Sequence, residues 1–183
     1  MKKGLKIVLI IIIILLLATF VGIILKNTVF SPWIKNSNYL YESAKDAIIA
    51  EEKSTSPDRT VSGFHTFVSM KEFGIQKGEE PSEKYVYVWI YYQSYYIEND
   101  QLWKSTGGSH PYKFIFNNDE FVRYEIPDNT HNYINEIRDL FPDKIEDTII
   151  NFNSPDNIKS LTDDVRSQVD SFEEYKEITH KGN

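Results

Sequence analysis

Four histidines, His65, His110, His131 and His180, are the side chains best suited to proton transfer or metal binding, yet they fall in no HxH, HExxH or Hx₃H spacing. A zinc site needs at least two ligands converging from one face, and this chain offers no such pair. The absence of cysteine excludes disulfides, thiolate-ligated zinc and thiol catalysis together. No serine sits in a G-x-S-x-G turn, and the neighbours Ser109 and His110 would point to opposite faces of an extended chain. The carboxylate pairs Glu51-Glu52, Asp163-Asp164 and Glu173-Glu174 lie on expected helices beside lysines, where the ordinary meaning is a solvated face. Thr106-Gly107-Gly108-Ser109 has the composition of a phosphate cradle, but it runs into Pro111 and a strand instead of opening a helix. Gly107 and Gly108 are therefore expected in a loop or bulge. Residues 156–164 lack the alternating oxygens and the glycine of a calcium loop. No catalytic residue, metal ligand or cofactor is expected.

One row of residues has another kind of chemistry. Between positions 85 and 92 the chain alternates so that Val86, Val88, Ile90 and Tyr92 share one face of a strand and Tyr85, Tyr87, Trp89 and Tyr91 share the other. The aliphatic face is ordinary core. The aromatic face is either a second buried face or a platform for a ligand or partner, because these rings combine apolar area with a polar handle. Helices at both ends of the chain are available to cover it, which favours burial.

The elements that carry this row follow from the hydrophobic period. Residues 38–52 read as a helix, with Leu40, Tyr41, Ala44, Ala47 and Ile48 inward and Ser37 as N-cap. From 63 to 126 the period changes to two and predicts a four-strand antiparallel meander. Its strands are 64–75, 84–97, a third that starts at 101–104, is interrupted at 105–109 and resumes at 112–116, and 120–126. Glu98-Asn99-Asp100 and Asn117-Asn118-Asp119 supply turn chemistry, and a strand of twelve or thirteen residues in a small sheet calls for a bend, most naturally at Gly107-Gly108. Beyond Pro127 the helical period returns: a stripe of Tyr133, Ile134, Ile137, Leu140 and Phe141 is stopped by Pro142. Ile145, Ile149 and Phe152 form a second stripe, and Ser154-Pro155 opens a terminal helix with Ile158, Leu161, Val165, Val169 and Phe172 inward. A helix, a curved meander and covering helices make an α+β plan of the cystatin-like or NTF2-like kind.

Residues 7–25 are nineteen consecutive uncharged, mostly branched apolar residues, preceded by Lys2, Lys3 and Lys6 and closed by Lys26. A helix of that length spans about 28 Å, close to the ~30 Å hydrocarbon thickness, whereas a signal-peptide core is usually about 7–15 residues. The basic residues before the run favour a cytoplasmic N-terminus. The expected organisation is a cytoplasmic tail at 1–6, a transmembrane helix at 7–26 and a linker at 27–37 with Trp33 at the headgroup level. An extracytoplasmic domain then occupies 38–183. Residues 27–183 keep 16 of the 20 Lys and Arg and all 27 Asp and Glu, a net charge of −11, which disfavours nucleic acid and anionic lipid as partners.

The string Tyr85-Val86-Tyr87-Val88-Trp89, then Tyr95-Tyr96, Glu98-Asn99, Leu102, Gly107 and Pro111, then Tyr133, Ile137, Leu140-Phe141-Pro142 and Ile145, resembles a known segment. It is an uncharacterised extracytoplasmic segment of membrane proteins from low-GC Gram-positive bacteria, sometimes found beside BlaR1-like antibiotic sensors. The resemblance covers about residues 64–150. The sensors' metallopeptidase part has no counterpart here, with one apolar run and no HExxH, so the resemblance implies a sensory or partner-binding role and not proteolysis. The sequence thus points to a single-pass bacterial membrane protein displaying a noncatalytic domain that binds a partner protein or a small envelope ligand. The alternative is an NTF2-like enzyme acting on a cell-envelope substrate, with carboxylates or His65 in a cavity between sheet and helices.

Overall fold

Period-two alternation dominates residues 65–125, and in the computed structural model it becomes one curled antiparallel sheet in the order β1-β2-β3-β4-β5. The structure describes residues 33–35, 37–61, 63–99, 101–128 and 132–172. The apolar run 7–25 lies outside them, as do His131 and His180; among the described residues no helix is long and apolar enough to cross a membrane. The strands are β1 (Trp33–Ile34), β2 (His65–Lys77), β3 (Glu83–Glu98), β4 (Gln101–Asn117) and β5 (Glu120–Glu125). The helices are α1 (Asn38–Thr55), α2 (Tyr133–Leu140), α3 (Asp143–Phe152) and α4 (Pro155–Ser171).

The α+β plan holds, with two corrections to its strands. The sheet has five strands, not four: Trp33 and Ile34, read as linker, pair with Gln76 and Ile75 at the edge of β2. The third strand of the meander is continuous through 105–109, because a bulge absorbs the irregularity. Gln93 pairs with Gly107 and Tyr95 with Lys104, so Ser105 and Thr106 together face the single residue Ser94. The bend thus falls just ahead of the expected glycines. Further bulges insert Phe73 into β2 and Val122 into β5, and together they let long strands curl. Asn118 and Asp119 both have positive φ, the conformation a two-residue hairpin turn needs to match strand twist.

Alternation along β3 decides what each layer packs against. Val86, Val88 and Ile90 are fully buried against Leu40, Tyr41, Ala44 and Ile48 of α1, together with Phe114 and Phe116 of β4. On the opposite face Tyr87 and Trp89 join Ile137, Phe141, Ile145, Ile149, Phe152 and Leu161 from the three C-terminal helices. The sheet is therefore sandwiched between α1 and α2–α4. Ser37 occupies the N-cap position of α1 without a side-chain cap bond, whereas Ser154 accepts from the Asn157 amide ahead of Pro155, the helix start expected from the sequence.

Candidate functional site

The densest group of polar side chains lies where the C-terminal turn of α1 meets the β4 bulge. Helical spacing puts Ile48 and Glu52 on the same inward face, so Glu52 enters the protein one turn beyond the aliphatic contact and is only 8% exposed. Its carboxylate accepts hydrogen bonds from Ser94 Oγ (3.1 Å) and from Thr106 Oγ1, with Tyr92 beside it. Ser94 is fully buried, and Thr66 Oγ1 lies 2.9 Å from its Oγ. A hydroxyl has one hydrogen, and that of Ser94 is committed to Glu52, so Thr66 donates to Ser94. A parallel chain ends on Asp58: Ser105 Oγ donates to Asp58 Oδ2 at 2.6 Å, which leaves Ser56, 3.2 Å from Ser105 Oγ, as donor to it. The side-chain amide of Gln93 donates to the carbonyls of Thr106 (2.8 Å) and Ser94 (3.1 Å), closing the bulge from the other side.

Outward from this network, the Tyr124 hydroxyl donates to Glu51 and the rings of Tyr112 and Tyr124 meet edge-on at 5.2 Å. Burial, reinforced by Glu52, pushes the Tyr92 hydroxyl up to about 12. Burial likewise raises Tyr112 and Tyr124, the latter with help from its bond to Glu51. His110 stands beside Tyr112, its ring centroid 6.4 Å away, and burial lowers it from its ordinary value of 6.5. These tyrosines and His110 are all neutral near pH 7. The Ser94, Thr106, Ser105 and Tyr124 hydroxyls all donate to carboxylates, and no buried side-chain nitrogen or oxygen among the described residues lacks a partner. Such a network fixes geometry.

The aromatic row sits on the other face. Tyr87 and Trp89 are 2% and 1% exposed beneath α2–α4, with Trp89 Nε1 donating to Ser109 Oγ at 2.9 Å and the Tyr87 hydroxyl to Gln76 Oε1 at 3.1 Å. Tyr85 and Tyr91 are half-buried at the margin of the same cluster, and Lys113 Nζ lies 4.7 Å above the Tyr85 ring. Of the expected platform, then, the two central rings are core. Gly107 and Gly108 lie within β4 and not in a loop. A Cβ on Gly108 would meet Tyr92 Cε1 at 2.7 Å, so the glycine makes room for the ring that reaches Glu52. His65 packs edge-on against Phe172 at 4.4 Å, beyond the end of α4. It is thus on the helical-bundle side, whereas Glu51 and Glu52 are on the α1 side; the fold does not bring these candidates together. No group of three His, Asp or Glu among the described residues could hold a metal ion.

The Glu51-Glu52 pair, expected on a solvated face, instead engages β3, β4 and β5. The inward placement of Glu52 is visible in its four-residue spacing from Ile48. Its partners are not, because Ser94 and Thr106 reach it only through strand register. Trp33, expected at the headgroup level, lays its ring over Gly74 and 6.2 Å from that of Tyr87, with Lys144 Nζ 4.5 Å from the ring centroid. No family model, curated protein or solved structure matches the chain.

Proposed function

We propose that this protein is a single-pass, membrane-anchored module whose extracytoplasmic α+β domain binds a partner protein or small envelope ligand without catalysing a reaction on it. Residues 7–26 supply the anchor in this reading, and the lysines ahead of them set the N-terminus in the cytoplasm. The helix laid on a curled meander is proposed to be of cystatin-like or NTF2-like kind. The observation that carries the noncatalytic half is the burial of Glu52 as acceptor of two hydroxyl donors, Ser94 and Thr106, with His65 on the opposite face of the sheet. An NTF2-like enzyme would need such groups free and convergent in one cavity. The same physical argument turns attention to the surface. Trp103, near the tip of the β3–β4 hairpin, is 48% exposed and pairs across the strands with Tyr96, the kind of anchor that dominates binding energy at interfaces.

The chain has no native cysteine, so a single Asn183→Cys variant reports topology directly. It should react with a membrane-impermeant thiol reagent in intact cells; protection until lysis would overturn the outward assignment. For binding, a photo-crosslinking residue at Trp103 should give a discrete adduct that the same residue at Lys159, on the exposed face of α4, does not. Equal labelling at both positions would remove the hairpin from the proposal.

A further inference from the structure

The contact between Trp33 and the β2 bulge is out of proportion to the strand that carries it. β1 has two residues and only two ladder pairs, Trp33 with Gln76 and Ile34 with Ile75. Even so, its one large ring is held from three sides. Gly74, at φ +139, leaves the space the ring fills: a Cβ there would lie 2.3 Å from the Trp33 ring. The Tyr87 ring flanks it and the Lys144 ammonium covers it at 4.5 Å, a cation–π distance. The bulge that inserts Phe73 is what brings Gly74 to this place in β2. Both the bulge and its glycine are thereby explained as a receptor for one side chain.

We infer that Trp33–Ile34 is a strap that docks the membrane-proximal chain onto the domain and so fixes the domain's standoff and orientation above the bilayer. The inference rests on the anchor reading of residues 7–26. Seven chain steps separate Lys26 from Trp33, a reach of at most about 25 Å at full extension. With the strap released up to Asn38 the limit rises to about 40 Å. Because Trp33 docks beside Gln76, one residue from the end of β2, the docked strap holds the β2–β3 turn toward the membrane. β3 then runs away from that end for sixteen residues, up to about 50 Å, and carries the β3–β4 hairpin with Trp103 to the far end. The strap therefore decides which end of the sheet is presented outward. Its small ladder places it among the segments that open locally without global unfolding.

The test uses the full chain in nanodiscs containing quencher lipid, with a fluorophore on Glu80→Cys in the β2–β3 turn or on Gln101→Cys at the hairpin tip. With the strap docked, the Glu80 site should be quenched several-fold more than the Gln101 site. Trp33→Ala should at least halve that difference and speed exchange of the amides that bond between β1 and β2 by tenfold or more, while the melt stays cooperative; Trp33→Phe should restore part of both. Equal quenching at the two sites in the parent would overturn the inference. So would a Trp33→Ala variant that leaves quenching and exchange unchanged, or one whose melt loses cooperativity, since the strap would then be part of the core. Failure of the chain to enter nanodiscs would instead overturn the anchor reading, with exchange of the β1–β2 amides still reporting whether Trp33 docks.

Discussion

Trp89 and Glu52 show opposite ways in which a single side chain can be held in the interior. Trp89 contributes a large apolar area between β3 and α3, packs 5.5 Å from the Phe152 ring and satisfies its one donor on Ser109. Trp89→Ala should therefore destabilise the protein by about 3–5 kcal/mol in chemical denaturation, the cost of a large buried cavity; a loss below about 1 kcal/mol would show the ring to be uncovered. Glu52, by contrast, is tolerated inside because the Ser94 and Thr106 hydroxyls replace its water. His110 gives a pH readout of the same face. Its folded value lies below 6.5 because burial disfavours the charged ring, so between the two values the unfolded chain binds the extra proton and stability rises with pH. The contribution is complete above the unfolded value and is lost as pH falls through and below 6.5. His110→Gln should flatten the stability profile across that interval, and an unchanged slope would show that His110 titrates alike in both states.

At the scale of elements, bulges and glycines set where long strands bend and what can lie across them. The β4 bulge puts Ser105 and Thr106 opposite Ser94, and the amide of Gln93 closes it. Two residues on, Gly108 leaves the space occupied by Tyr92. A methyl group at that position must push the ring away from Glu52, so Gly108→Ala should cost about 1–3 kcal/mol by overpacking. The Tyr92 hydroxyl should then also titrate at lower pH in an absorbance titration, as its carboxylate neighbour recedes. A Gly108→Ala variant with parental stability and titration would mean that Tyr92 has no tie to Glu52.

For the whole molecule, the two-sided burial of β3 joins an N-terminal helix and a C-terminal helical layer into one cooperative unit, against which β1 docks through Trp33. A chain beginning at Trp33 should accordingly be more stable than one beginning at Ser37, by about 2 kcal/mol, comparable with burying one large apolar side chain. Coincident urea midpoints for the two would show that docking of Trp33 adds no stability and would weaken the case for the strap.

Where local pattern decides structure, the sequence alone was sufficient. The period-two run of β3 with its aliphatic and aromatic faces, the helical stripe through Leu40, Ala44 and Ile48, and the Ser154-Pro155 helix start all express interactions within a few residues of the chain, and all appear in the structure. The apolar length of residues 7–25 is likewise a property of the chain alone. Tertiary structure decided whatever depended on partners distant in sequence. Trp33 and Ile34 are too few to show a period, and only pairing with β2 makes them a strand. Ser94 and Thr106, forty-two and fifty-four residues from Glu52, meet it because the β4 bulge shifts register by one residue. The rings of Tyr87 and Trp89 are core because α2–α4 fold back over them. Alternation assigns a side chain to a face, but what covers that face is settled by packing between elements, and packing leaves no local signature in the chain.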